Sequence, residues 1–269
     1  MSIYKKVVLF AYEYLVNNYK MVFVPRWDID FELSADLVKL SRAPIRIGFS
    51  EKVTEDKKYH NMLRDKYFSS VFFCRADCLE SEKYLNLLEQ MKLTVYDRDV
   101  KLPYKNIKEY RGVRLDKPYA ALAIDTSSEY KDWNIANYVI VANWLYTQGI
   151  TTVLLGTNSF YNEKFKLYAN GLQYVSLVGE TSVRDTFDII GSSCLYIGGD
   201  TGLSHIAGAV GAKGIVVNGW DRNGDPKNSR SPVRFRPKSD LIKVIQPKNG
   251  SGVNQVTPNE VIELIKTII

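Results

Sequence analysis

Residues 194–218, Cys-Leu-Tyr-Ile-Gly-Gly-Asp-Thr-Gly-Leu-Ser-His-Ile-Ala-Gly-Ala-Val-Gly-Ala-Lys-Gly-Ile-Val-Val-Asn, leave this chain little choice of fold. The short apolar run 195–197 has the length and composition of a buried strand. Gly198-Gly199-Asp200-Thr201-Gly202 then makes a tight turn into a helix whose small residues, Ala207, Gly208 and Ala209, permit close packing. A second apolar run, 214–217, reads as the next strand. Strand, glycine-rich turn, helix, strand is a phosphate-binding layout. The free N–H groups and the positive dipole end of the helix face whatever lies beyond the strand end.

Composition narrows what surrounds this turn. A chain of 269 residues with 45% apolar and 25% charged residues has the proportions of a soluble globular protein with room for two domains. It contains no uncharged apolar stretch of about 18 residues, so no spanning helix is expected. Lys5 and Lys6 precede an apolar run, but no small-residue cleavage site follows and Glu13 interrupts it, so no signal peptide is expected either. Cys74, Cys78 and Cys194 make no disulfide framework and no zinc set, which fits a reducing cytoplasm and predicts no metal. The formal charge of +6 suits an anionic partner: a nucleotide-linked substrate, an acidic membrane surface or nucleic acid. A basic solvated surface is the plain alternative. Nucleic acid is not expected, because neither an RNP pattern nor a helix-turn-helix pattern accompanies the charge.

In chain order, apolar residues at helical spacing predict a helix over 3–18, with a short strand over 7–10 as the alternative, and 21–25 is a compact strand closed by Pro25. A helix over 31–40 and a strand over 45–49 follow. The pattern loosens over 50–78, which holds only the short apolar run 71–73, and a helix is predicted over 80–91. The charged, aperiodic stretch 97–117 reads as a linker, placing a first domain at 1–115 and a second at 116–269. In the second, strands are expected at 120–124, 151–155, 175–177, 195–197 and 214–217. Helices are expected at 133–148, from about 162 to 170, and at 183–191. Thr257-Pro258-Asn259-Glu260 signals a capped final helix, which is expected to pack back on the first domain. The alternation makes a doubly wound half, whose ligands bind at the carboxyl ends of the strands.

Three strand-end turns therefore share one cleft. Thr126, Ser127, Ser128 and Lys131 offer hydroxyls and an ammonium to phosphate oxygens, although such a turn also serves as ordinary capping. Glu163, beyond the 151–155 strand, can hold ribose hydroxyls or simply lie on the surface in the first turn of a helix. Thr201 and Gly202 supply amides and a hydroxyl, and His205 shares their helix face one turn on. Asp200, a carboxylate beside an anion site, either caps the helix or holds sugar hydroxyls.

Taken together these residues resemble a known pattern. Asp200-Thr201-Gly202-x-x-His205, followed by a small-residue helix and an apolar strand, resembles the donor-site signature of glycosyltransferase family 9, the bacterial ADP-heptose:lipopolysaccharide heptosyltransferases and their relatives. Thr126-Ser127-Ser128-x-x-Lys131-x-Trp133 is similar to the family's polar turn, and the stretch 177–182 to the strand and loop lining the base. Ile45-Arg46-Ile47-Gly48-Phe49 and Thr257-Pro258-Asn259-Glu260-Val261 resemble two further family elements. The resemblance implies an α/β fold of two Rossmann-like domains facing across a cleft (GT-B). It also implies metal-free, inverting transfer of a heptose-like sugar from a nucleotide donor, ADP-heptose-like, to a lipid-linked saccharide at the inner membrane. Ser127, Lys131, Thr201, Gly202 and His205 would hold the diphosphate, Asp200 the sugar, and Lys131 would steady the departing nucleotide. The chain departs from the pattern in its first domain, where about two strands replace the usual five or six and the Gly-Asp turn that supplies the base is missing. Asp28 and Asp30 are the substitutes on offer for that base, and loop carboxylates solvating a turn are the plain alternative. A non-catalytic or fragmentary nucleotide-sugar-binding relative is the competing expectation.

Overall fold

The structure is a computed structural model that describes residues 19–228, 230–250 and 252–269, so the helix expected over 3–18 lies outside the described residues. The chain forms two compact units, one running to Arg98 and the other from Asp99.

Among the described residues the first unit has three parallel strands, β1 (Met21–Val24), β2 (Ile45–Phe49) and β3 (Ser70–Phe72), in the order β1-β2-β3. That is one strand more than the sequence suggested. Helix α1 (Ser34–Leu40) starts three residues later than predicted. Leu33 adopts a left-handed φ of 60°, and the buried Asp30 carboxylate takes the N–H of Ala35 at 2.8 Å, so the helix is entered from a cap and not from a continuous apolar face. In the stretch that read as irregular, Thr54 caps α2 (Glu55–His60). Helix α3 (Glu80–Gln90) lies where the periodicity placed it.

Trp27, Ile47, Phe49 and Leu87 form this unit's core. Two lysines are buried with it. The Lys83 ammonium stands over the Trp27 ring, 3.5 Å from its centroid, and pairs with Glu80. Lys57 donates to the carbonyls of Arg26, Trp27 and Phe49 at 3.0, 3.0 and 3.1 Å, tying the outgoing ends of β1 and β2. Burial pulls the Lys57 ammonium down to about 8, against the Asp30, Asp65 and Asp28 carboxylates that hold it up. An unfolded lysine keeps its proton to about 10.4, so between these values the unfolded chain binds more protons and folding gains stability as pH rises. Urea unfolding of the wild type and of Lys57→Met at about pH 7.5 and 9.5 is expected to show the wild type gaining relative to the variant at the higher pH. A difference that stays flat would show that the fold does not strain this charge.

The segment 99–117 lies with the second unit. Lys105 N–H donates to Asp188 and Ile107 N–H to Ser192, and the Tyr110 hydroxyl lies 3.0 Å from an Asp185 carboxylate oxygen. Strands β4 (Glu109–Tyr110) and β5 (Val113–Arg114) pair antiparallel about Arg111 and Gly112, both at positive φ, the geometry of a tight two-residue hairpin.

Six parallel strands make the second unit's sheet: β6 (Tyr119–Ala123), β7 (Thr151–Leu155), β8 (Tyr174–Ser176), β9 (Leu195–Gly199), β10 (Gly214–Val217) and β11 (Ile242–Ile245). Their order is β11-β10-β9-β6-β7-β8, so two halves wind outward from β6 and β9. Both faces are covered. Leu122, Leu154, Ile197 and Ile215 point into one core with Trp133, Tyr138, Leu145 and Phe165. Ala121, Val153, Tyr196 and Val216 point into the other with Ile189, Ile190 and Ala207. Burial on two faces explains why these strands read as unbroken apolar runs. The crossovers are α4 (Ile135–Thr147), α5 (Ser159–Tyr168), α6 (Val183–Gly191), α7 (Gly202–Ala209) and a short α8 (Pro232–Phe235). Asn158 caps α5, which starts about three residues earlier than expected. The last helix, α9 (Pro258–Ile265), carries the anticipated capping box, but Val261, Ile262 and Ile265 sit in the second unit's own core, alongside α4 residues. Its packing face is therefore used within its own unit.

Candidate functional site at the divergence of two strands

Strand order reverses between β6 and β9, and there the helices leave on opposite sides and open a crevice at the strand ends. Ala123 pairs with Gly198, which sets the turn after β6 beside the turn after β9. Glycine decides how closely they approach. A Cβ on Gly199 would stand 3.0 Å from the Thr126 methyl and 3.4 Å from the Lys131 carbonyl. One on Gly198 would meet the Tyr196 hydroxyl at 2.4 Å. With neither Cβ present, Lys131 Nζ reaches Asp200 Oδ2 at 2.7 Å across 69 residues of chain. The pair is half-buried, at 28% and 16% side-chain exposure.

This ion pair accounts for a carboxylate beside an anion site: Asp200 is held by Lys131. The N-cap of α7 is Thr201, which makes no side-chain capping bond. Its hydroxyl is buried without a protein partner. The helix therefore begins without the usual side-chain answer to its first N–H groups. One turn on, His205 is open at its rim, yet the surrounding protein pushes its imidazole pKa down, with Asp200 opposing and Lys131 assisting. The shift favours the neutral imidazole, which lies within the field of the same pair.

Between the turns is a cavity of about 190 Å³ whose walls include Tyr130, Lys131, Asp200, Asn218, Trp220 and Arg230. Only Lys131 and Asp200 of these were singled out from the sequence. Asn218 follows β10, and its carboxamide oxygen takes the Trp220 backbone N–H at 2.8 Å. Arg230 reaches in from the long polar loop before α8, its guanidinium 4.7 Å from the Tyr130 ring centroid. That loop has no periodicity, and its length beyond a strand end was the one available signal.

The remaining sequence candidates divide. Gly202 opens α7, and a Cβ there would meet nothing within 4 Å, so space lies beside it. Ser127 and Ser128 belong to the turn that carries Lys131, with Ser127 exposed. The Thr126 hydroxyl is occupied inside this turn, 2.6 Å from Asp132 Oδ1 and 2.8 Å from the Ser128 carbonyl. Asp125 and Asp132, which the sequence did not mark, hold the turn in place. Asp125 accepts from the N–H groups of Thr157 and Asn158 at 2.7 and 2.9 Å, and Asp132 accepts from the Tyr161 hydroxyl. Glu163 is exposed on α5, is not part of the cavity wall, and acts on Tyr174, whose hydroxyl pKa is raised first by burial and then by this carboxylate. In the first unit, Asp28 accepts the N–H of Ile29 at 2.8 Å, while Asp30 is the buried cap of α1. Among the described residues no three His, Cys, Asp or Glu side chains gather to hold a metal ion, and no helix is long and apolar enough to cross a membrane.

Comparison with known proteins bears on the fold and the family. Lipooligosaccharide heptosyltransferase 2 of Haemophilus influenzae is 24% identical over 155 residues, which is 52% of this chain and 43% of that protein. The matched stretch thus spans less than half of that relative. The structure superposes on E. coli heptosyltransferase WaaC with ADP at a TM-score of 0.72 and 17% identity, covering 100% of this chain and 79% of the other. A glycosyl transferase family 9 protein from Veillonella parvula superposes equally well, at 0.72 and 16% identity, with 100% and 80% covered. These likenesses establish the α/β fold with its parallel sheets. The family model described as Glycosyltransferase family 9 (heptosyltransferase) matches residues 32–245, well over half of the sequence, and the chain belongs to that family.

Proposed function

We propose that this chain is an inverting glycosyltransferase that moves a heptose-like sugar from a nucleoside-diphosphate donor to a lipopolysaccharide-type acceptor. The observation that carries the reading is the Lys131–Asp200 pair set beside an uncapped helix start at the sheet's divergence point. The structures of E. coli WaaC hold ADP and ADP-2-deoxy-2-fluoro heptose, which makes ADP the first base and diphosphate to try here.

In this reading the donor diphosphate lies against the N–H groups of α7, with Thr201, Gly202 and His205 around it. The acceptor hydroxyl attacks the anomeric carbon from the face opposite the diphosphate, so the bond to the nucleotide breaks as the new glycosidic bond forms and the configuration inverts. Negative charge accumulates on the departing nucleotide, and the Lys131 ammonium and the helix amides are already oriented to meet it without a metal. Asp200 then divides its hydrogen bonds between Lys131 and sugar hydroxyls. A base takes the acceptor proton. Of the two carboxylates considered, Asp30 is committed to the start of α1. A lipid-linked acceptor brings the protein to the inner face of a membrane without a spanning helix.

The competing reading is a relative that binds nucleotide sugar without transferring it. Incubation of the purified chain with ADP-heptose and a heptose-less lipopolysaccharide acceptor separates the two. Transfer is expected as ADP released in step with mass gained by the acceptor. Donor binding with no ADP release would support the binding-only relative, and no binding of ADP at all would overturn both.

A further inference from the structure

The charges in the cavity do not balance for a diphosphate if Lys131 acts alone. Lys131 is neutralised by Asp200 at 2.7 Å, so an entering diphosphate meets a net-neutral pair. A second cation on the wall would change this, and Arg230 is in place. No carboxylate among the described residues pairs with it, and its guanidinium is steered by the Tyr130 ring at 4.7 Å. Its own backbone and that of Ser231 are hydrogen-bonded to Asn228: Arg230 N–H donates to the Asn228 carboxamide at 2.9 Å, and Ser231 N–H donates to the Asn228 carbonyl at 3.1 Å. Ser231 is buried and caps α8, and the buried Arg234 reaches back to the Lys227 carbonyl at 2.8 Å. Arg230 therefore lines the same cavity as Lys131 and Asp200.

Resting on the donor-site reading above, we infer that Arg230 is the second cation of this site and recognises the sugar-linked phosphate of a nucleoside diphosphate. The guanidinium is suited to this: it stays charged, presents a planar fork to phosphate oxygens and stacks on an aromatic face while doing so. Lys131 and the α7 amides act on the same diphosphate, and the site distinguishes a diphosphate from a monophosphate by whether Arg230 is engaged.

The test is calorimetric titration of the full chain with ADP and with AMP, for the wild type, Arg230→Gln and Arg230→Lys. Loss of one charge-assisted contact is expected to weaken ADP binding by roughly ten- to a hundredfold in Arg230→Gln, with AMP changed by less than about twofold. Arg230→Lys is expected to recover part of the loss, because the charge remains and the fork does not. Arg230 is exposed, so both variants should melt as the wild type does. Wild-type affinity for ADP in Arg230→Gln would overturn the inference while leaving the donor-site reading standing. Equal weakening of ADP and AMP would overturn the assignment to the sugar-linked phosphate. A wild-type chain that binds neither nucleotide would overturn the donor-site reading and this inference with it.

Discussion

Lys131→Ala is expected to lower the rate of sugar transfer by about two to three orders of magnitude, the usual consequence of removing a preoriented donor from developing negative charge. Two effects add. The departing nucleotide loses the ammonium that stabilises it, and Asp200, only 16% exposed, is left as an unpaired carboxylate next to an incoming diphosphate. Donor affinity should therefore fall along with turnover. Stability should fall by about 1–3 kcal/mol, because the half-buried Asp200 carboxylate loses its partner. Steady-state kinetics with varied donor, beside a thermal melt, read both quantities. If Lys131 and Asp200 act as a unit, Asp200→Asn added to Lys131→Ala will cost less than the sum of the two single changes. A Lys131→Ala protein within about threefold of the wild-type rate would remove the lysine from the mechanism, since a true charge-stabilising donor is worth far more.

Trp133→Ala should be the most damaging single change to the second unit, at about 3–5 kcal/mol. Trp133 is 1% exposed, packs edge-on to Tyr138 at 4.9 Å between centroids, and donates its indole N–H to the Val256 carbonyl at 2.8 Å. Alanine leaves a cavity where the ring was and an unpaired carbonyl just before α9. The variant Trp133→Phe separates the two losses. It keeps much of the ring volume, gives up the N–H, and is expected to cost closer to about 1–2 kcal/mol. Denaturant unfolding followed in the second unit gives the values. Trp133 stands two residues from Lys131, so transfer should suffer in the alanine variant beyond any loss of folded protein. The phenylalanine variant should keep most of it. Equal stability of wild type and Trp133→Ala would mean that the turn is anchored elsewhere.

The second unit was legible because its strands are buried on both faces and so read as plain apolar runs bounded by glycine and polar turns. β11 escaped because Lys243 interrupts its apolar residues at the open edge of the sheet. The stretch 50–78 hid its helix for a physical reason as well: the residue that α2 buries is Lys57, so no hydrophobic period marks it. At the site, Lys131 and Asp200 could each be picked out by residue type. Their pairing depends on strand order, which local pattern does not carry. Arg230 and Trp220 lie on a loop without periodicity, and the hydroxyl of Thr126, suited by type to a phosphate, turned out to be spent on Asp132.

The pairing of β6 with β9 has a consequence for how the protein is made. The chain must lay down β7, β8 and their helices on one side before β9 can return to the other edge of β6. Such a long-range closure is the slow kind of contact to form. Lys131 and Asp200 therefore remain strangers in a nascent or partly folded chain, and no fragment ending before β9 can carry the site. Occupation of this cavity by a ligand reports that the central pairing of the sheet is complete.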